Sequence, residues 1–208
     1  MRLLKQRDHK KMPWKNGGGI TYEVAAAPEG AALDAFDWRV STALVEVPGP
    51  FSAFPGCDRV LTVLSGGPMA LRVGDAPARM LDDTSTPFAF AADVTTAAEA
   101  VDTALLDLNV MVRRGRATAT VTRHRGVNLR IGPRINAGID ARVGSRISLG
   151  EATTLVLTKG GSASLSNRPE LMQDGDVLIV APSDPPVTIS PSSEAVLYEI
   201  KITVKHAS

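Results

Sequence analysis

Few side chains in this sequence are placed to do chemistry, and the clearest is Arg59. It opens the apolar run Arg59-Val60-Leu61-Thr62-Val63-Leu64, three residues past Gly56 of the Phe54-Pro55-Gly56 bend. A guanidinium at the head of such a run must reach water, meet a counter-charge or hold an anion, because an isolated buried charge is costly. Its planar fork matches a carboxylate. Alternation along the run from Trp38 puts Arg39 and Ser41 on one face, and alternation from Leu106 to Val112 puts Asp107 and Asn109 on one face. Together these read as a polar pocket for a small anion. Arg59, with Lys15 or Arg39, would neutralise a carboxylate. Asn16 or Asn109 could add a neutral hydrogen-bonding amide beside it. Trp14, Lys15 and Asn16 could close the mouth. The same residues would serve equally as an internal ion pair, Arg59 or Arg39 with Asp107. Trp14 and Trp38 suit ligand walls and core packing alike.

Other chemistries lack their residues. The histidines are His9, His124 and His206. None lies in the strongly apolar runs, so a centre built from imidazole and carboxylate is short of ligands, and neither metal nor cofactor is expected. The single cysteine, Cys57, excludes an intrachain disulfide and has no neighbouring histidine to activate it. A net charge of +1 gives no reason to expect a polyanionic partner. Arg113, Arg114, Arg116, Arg123, Arg125, Arg130 and Arg134 cluster without interleaved aromatics or a helix-turn-helix pattern. They read as a solvated strip or a seam between halves, not as a nucleic-acid site. No apolar run approaches the ~20 residues of a membrane span, and the start turns polar at once, so a soluble cytoplasmic protein is the expectation.

The elements that must position these residues are strands. Residues 20–24, 38–44, 58–64, 69–73 and 106–112 alternate at period two or follow Gly/Pro turns. Residues 95–105 are rich in alanine and are compatible with helix or strand. Arg113-Arg114-Gly115-Arg116 marks a boundary between residues 1–115 and 116–208. Residues 117–150 offer only short, weak strand candidates. Strand signals return at 154–158, 163–165, 177–181, 187–190 and 195–204. Leu61-Thr62-Val63-Leu64-Ser65-Gly66-Gly67 is echoed by Leu155-Val156-Leu157-Thr158-Lys159-Gly160-Gly161, about 94 residues on, which suits two copies of one unit. Many short strands between Gly/Pro turns argue an all-β sandwich or barrel.

Three blocks resemble the HutD/Ves family. They are Trp14-Lys15-Asn16-Gly17-Gly18-Gly19 with Thr21 and Glu23, residues 36–41 with 49–59, and Asp107-Leu108-Asn109-Val110-Met111 with Arg113-Arg114-Gly115. They stand in the family's order within the first 115 residues; the second half matches by strand pattern alone. The resemblance implies a double cupin of the RmlC-like jelly-roll type, two small antiparallel β-barrels in one chain. It implies an accessory or regulatory role in bacterial histidine utilisation, without an established reaction. Cupins commonly hold a metal through His-x-His, but here the corresponding place reads Pro55-Gly56-Cys57-Asp58-Arg59, so Arg59 supplies the cation instead. The expected ligand is then a small anionic metabolite such as urocanate, formiminoglutamate or formylglutamate. A metal-free hydrolase or isomerase, with Asp107 as base, and a scaffold protein are the alternatives. A homodimer is left open. Ala92 precedes Asp93 where the family pattern suggests glycine.

Overall fold

The structure is a computed structural model that describes residues 1–14, 19–132 and 152–205. The described residues form nineteen strands and one 3-10 turn. The first strands are β1 (Arg2–Leu4), β2 (Lys10–Pro13), β3 (Gly19–Ala27), β4 (Trp38–Val45), β5 (Gly49–Pro50) and β6 (Cys57–Ser65). Next come β7 (Met69–Val73), β8 (Arg79–Leu81), β9 (Phe88–Ala91), β10 (Thr96–Val101) and β11 (Leu105–Arg113). The remainder are β12 (Ala117–Arg125), β13 (Leu129–Ile131), β14 (Ala152–Lys159), β15 (Ala163–Leu165), β16 (Arg168–Met172), β17 (Val177–Val180), β18 (Val187–Pro191) and β19 (Val196–Val204).

They assemble into four antiparallel sheets. A six-stranded sheet, β2-β3-β4-β11-β6-β9, faces a four-stranded one, β5-β10-β7-β8, across a core containing Leu61, Val63, Met69, Leu71 and Leu105. A five-stranded sheet, β1-β17-β14-β19-β12, faces β13-β18-β15-β16 across Val156, Met172, Leu178, Ile189 and Leu197. The backs of the six- and five-stranded sheets share a third core of Val40, Leu108, Val110, Leu155, Leu157, Tyr198 and Ile200. Strands β4, β6, β11 and β14 are therefore buried along most of both faces.

The ambiguous alanine-rich segment is strand β10, paired with β7 on one side and β5 on the other; sheet context overrides alanine's helix preference. Residues 117–125, read as weak in the sequence, form a nine-residue strand along β19. Its Thr118, Thr120 and Thr122 alternate with Ala119 and Val121, which pack on the shared core. Strand β1 crosses over to pair with β17. The internal echo keeps its place but not its face. Leu61 and Val63 point into the first sheet pair, whereas Leu155 and Leu157 point into the shared core.

Candidate functional site

The site is built on the inner face of the six-stranded sheet, where β4, β11 and β6 lie side by side. Register sets Ser41 against Asn109, Arg39 against Met111, and Met111 against Arg59. Period two then turns Arg39, Ser41, Arg59, Asp107 and Asn109 to the same side. All five are buried, and Asp107 has no exposed surface. They line one cavity of about 530 Å3 whose rim is apolar: Met12, Trp14, Leu33, Phe51 and Phe54. Trp38 lies on the opposite face, in the shared core. Lys15 and Asn16 lie outside the described residues.

Each charged side chain is held in a distinct way. Arg59 sits between three rings, with its Cζ 5.4, 5.5 and 5.8 Å from the centroids of Phe51, Phe54 and Phe90. Its Nη2 donates to the Ser52 carbonyl at 2.9 Å. Burial pushes its pKa down to about 10, Asp107 pulls it back up, and Arg39 pushes it down, so it stays a cation at neutral pH. Arg39 donates from Nε to Glu23 Oε2 at 2.7 Å and from Nη1 to Ser41 Oγ at 3.3 Å. Asn109 Nδ2 donates to Asp107 Oδ1 at 2.6 Å. Burial raises the Asp107 carboxyl to about 7. Attraction to Arg59 and hydrogen bonds from Ala43 and Asn109 oppose that rise only in part.

The internal ion pair expected between Asp107 and an arginine does not form. Among the described residues no arginine nitrogen comes within 4 Å of the Asp107 carboxylate, and the partner of Arg39 is Glu23. Sequence reasoning missed Glu23 because the pairing needs the register of β3 on β4, which shifts between Glu23 and Ala25. It missed Phe90 because only the β6–β9 ladder brings that ring opposite Arg59. Four buried polar atoms of cavity residues have no hydrogen-bond partner among the described residues: Arg39 Nη2, Arg59 Nε, Asp107 Oδ2 and Asn109 Oδ1. Buried polar atoms seldom go unmatched, and here two donors and two acceptors line one cavity.

The rim is fastened from outside. Trp14 donates from its backbone to the Gly19 carbonyl at 3.0 Å and from Nε1 to Thr21 Oγ1 at 2.8 Å. Its ring lies over Gly19, where a Cβ would collide with the Leu44 carbonyl. Arg113 donates to the carbonyls of Phe36 and Asp34, and Arg116 pairs with Asp37, so both hold the 28–37 loop that carries Leu33. Arg114 pairs with Asp58 and Asp93, and Asp93 accepts from the Gly56 amide. Arg114 and Arg116 are exposed, as a solvated strip would be, and all three arginines also tie down loops around the cavity. Arg134 lies outside the described residues. Cys57 is buried at the foot of this region, and burial pushes its thiol pKa up, so it is no thiolate nucleophile.

A family model described as HutD matches residues 6–196. The chain belongs to the HutD family. Over 111 residues it is 40% identical to an uncharacterized 21.2 kDa protein in the hutC 3' region of Pseudomonas putida, covering 53% of this chain and 57% of that protein. Over 118 residues it is 40% identical to protein Ves of Citrobacter koseri, covering 55% of this chain and 60% of Ves. In both, the match spans little more than half of the relative's length. A solved structure of HutD from Pseudomonas fluorescens SBW25, in a formate condition, superimposes with a TM-score of 0.77 over 99% of each chain at 27% identity. Bacillus subtilis oxalate decarboxylase, at 8% identity and TM-score 0.62 over 99% of this chain and 78% of that one, shares the fold alone. The fold is all-β and cupin-like. The cavity does not suit a cupin metal: its polar donors are guanidinium, amide, hydroxyl and one carboxyl. Among the described residues no group of three His, Cys, Asp or Glu is placed to hold an ion.

Proposed function

We propose that this HutD-family protein binds a small carboxylate metabolite in the cavity on the six-stranded sheet and acts as an accessory or regulatory protein of histidine utilisation. The carrying observation is the set of four unmatched buried atoms on Arg39, Arg59, Asp107 and Asn109, all residues of that cavity. Arg59 anchors the carboxylate. Its charge has no ion-pair partner among the described residues, and its three aromatic neighbours fix the head without neutralising it. Arg39, already paired with Glu23, adds a donor without adding net charge. A cavity of about 530 Å3 falls in the usual range for small-molecule sites. Urocanate, formiminoglutamate and formylglutamate are the ligand candidates, a choice supported by family membership and by the relative from the hutC 3' region. We read the two sheet pairs as a double cupin, two barrels divided between residues 1–115 and 116–208, with the site in the first. A cytoplasmic setting goes with this role; among the described residues no helix is long and apolar enough to cross a membrane.

The test is a thermal-shift series with these three compounds, each beside its uncharged carboxamide. The carboxylates should raise the melting temperature and the carboxamides should not. Equal shifts for both, or none, would end the reading. A second reading, a metal-free hydrolase or isomerase, is favoured by the Asp107 carboxyl near 7, the range of a working general base. Chemical turnover of a bound compound, lost in Asp107→Asn, would establish it in place of simple binding.

A further inference from the structure

A sheet edge offers unpaired backbone N–H and C=O groups to any other strand unless something guards it. Seven of the eight edges among the described residues are guarded or short. Strands β1, β8 and β13 have three residues, β5 two and β9 four. Strand β2 carries Lys10, Lys11 and Pro13, and β16 carries Pro169. Strand β12 has none of these devices. It runs for nine residues, pairs with β19 along its whole length without a bulge, and holds no proline, glycine, lysine or acid. Among the described residues no strand pairs with its other edge. The five-stranded sheet also stops there, before it has covered the back of the six-stranded one. A cavity of about 400 Å3 lies beyond that edge, lined by Val60, Ala89, Ala91, Ala117 and Ala119, with Asp58 beside them.

We propose that two copies of this chain pair through β12 about a two-fold axis at Val121, joining their five-stranded sheets into one of ten strands. In that register all nine residues find partners: Ala117 meets Arg125, Thr118 meets His124, Ala119 meets Arg123 and Thr120 meets Thr122. No like charges stand opposite each other. An axis at Arg123 would set that guanidinium against itself, and one at Ala119 would pair only residues 117–121 of the strand. Charge also fits the Val121 axis. Ala119 and Val121 face the six-stranded sheet, so Ala117 and Arg125, in step with them, face it too. Arg125 of the second copy then lies beside Ala117, on the side where Asp58 lines the cavity. Arg114 is shared between Asp58 and Asp93, which leaves one of their two negative charges unbalanced. Arg125 is exposed and pairs with no acid among the described residues. It supplies the missing positive charge, once from each copy, while the second copy's sheet closes over Val60, Ala89 and Ala91.

The experiment is sedimentation equilibrium on the full chain up to ~100 µM, where a dimer is favoured by mass action. Two variants change the same exposed threonines. Thr120→Lys/Thr122→Lys sets lysine against lysine on both sides of the axis. Thr120→Glu/Thr122→Lys sets glutamate against lysine, and within each chain it also places glutamate opposite Lys201 and lysine opposite Glu199. Wild type should dimerise. The lysine/lysine form should dimerise at least ~10-fold more weakly, and the glutamate/lysine form within ~3-fold of wild type. Arg125→Glu, at an exposed residue, carries the test if the lysine pair disturbs the fold. It breaks two equivalent ion pairs per dimer and should weaken association ~5-fold or more at low salt, with a smaller effect at high salt. A wild type that stays monomeric at the highest concentration would overturn the proposal and leave β12 open to a different partner. A dimer that both threonine forms keep equally, or that Arg125→Glu does not weaken, would overturn it as well, because the copies would then meet elsewhere.

Discussion

Replacing Asp107 with asparagine should make this protein more stable above neutral pH, although the change falls in the middle of its candidate site. Asp107 has no exposed surface, and burial raises its carboxyl from the usual 3.8 to about 7. Between those two values the folded chain keeps a proton that the unfolded chain gives up. The stability this proton lends is complete below about pH 4 and is lost as the pH climbs through 7. At about 1.4 kcal/mol per pH unit across that interval, the loss reaches about 4 kcal/mol by pH 8. Asparagine has the same shape and nothing to ionise. It also forgoes the attraction for Arg59, which takes back part of the gain, so a net increase of roughly 1–3 kcal/mol at pH 8.5 is expected. Urea unfolding of both forms from pH 5 to pH 8.5 measures it. The gap should open with rising pH because the wild type loses stability and the variant does not. Parallel curves, or a variant less stable at pH 8.5, would refute the reasoning and mean that the ionised carboxylate is well paired in the fold.

Other consequences can be checked on the same footing. Gly66 has φ +76, and a Cβ there would run into the Ala104 carbonyl oxygen, so Gly66→Ala should lower stability by about 2 kcal/mol or more, read from the denaturant midpoint. Leu108 is fully buried in the core shared by the six- and five-stranded sheets, and Leu108→Ala should cost about 2–5 kcal/mol by the same measurement. Arg114→Ala, which frees Asp58 and Asp93 at an exposed site, should lower the midpoint only slightly, and the gap should close as salt is raised.

Much of the fold could be read from side-chain alternation, and the failures have physical causes. Strands β4, β6 and β11 are legible because Arg39, Ser41, Arg59, Asp107 and Asn109 interrupt apolar runs at period two. That period also puts these residues on common faces without knowledge of the strand order. Strand β12 is faint in the sequence because its Thr and Ala side chains carry little hydrophobic signal, while its pairing comes from β19. Strand β10 was ambiguous because alanine's helical preference is local and the sheet is not. The face reversal between Leu61 and Leu155 lies beyond any motif, since a single residue of offset turns a strand over. In the site, residue types on one strand were legible, but partners across strands were not. The Arg39–Glu23 pair and the Phe90 ring beside Arg59 both depend on ladder register. The clasping role of Arg113, Arg114 and Arg116 depends on loops folding back to meet them.

The claim that Arg59 anchors a carboxylate is tested most directly by titrating formylglutamate into wild-type and Arg59→Ala protein by calorimetry, with the urea midpoint of each measured alongside. Wild type should bind one equivalent per chain. Arg59→Ala should bind roughly 30-fold more weakly or worse while keeping a near-native midpoint. Unchanged affinity in Arg59→Ala, or an affinity loss that only tracks a collapse in stability, would contradict it.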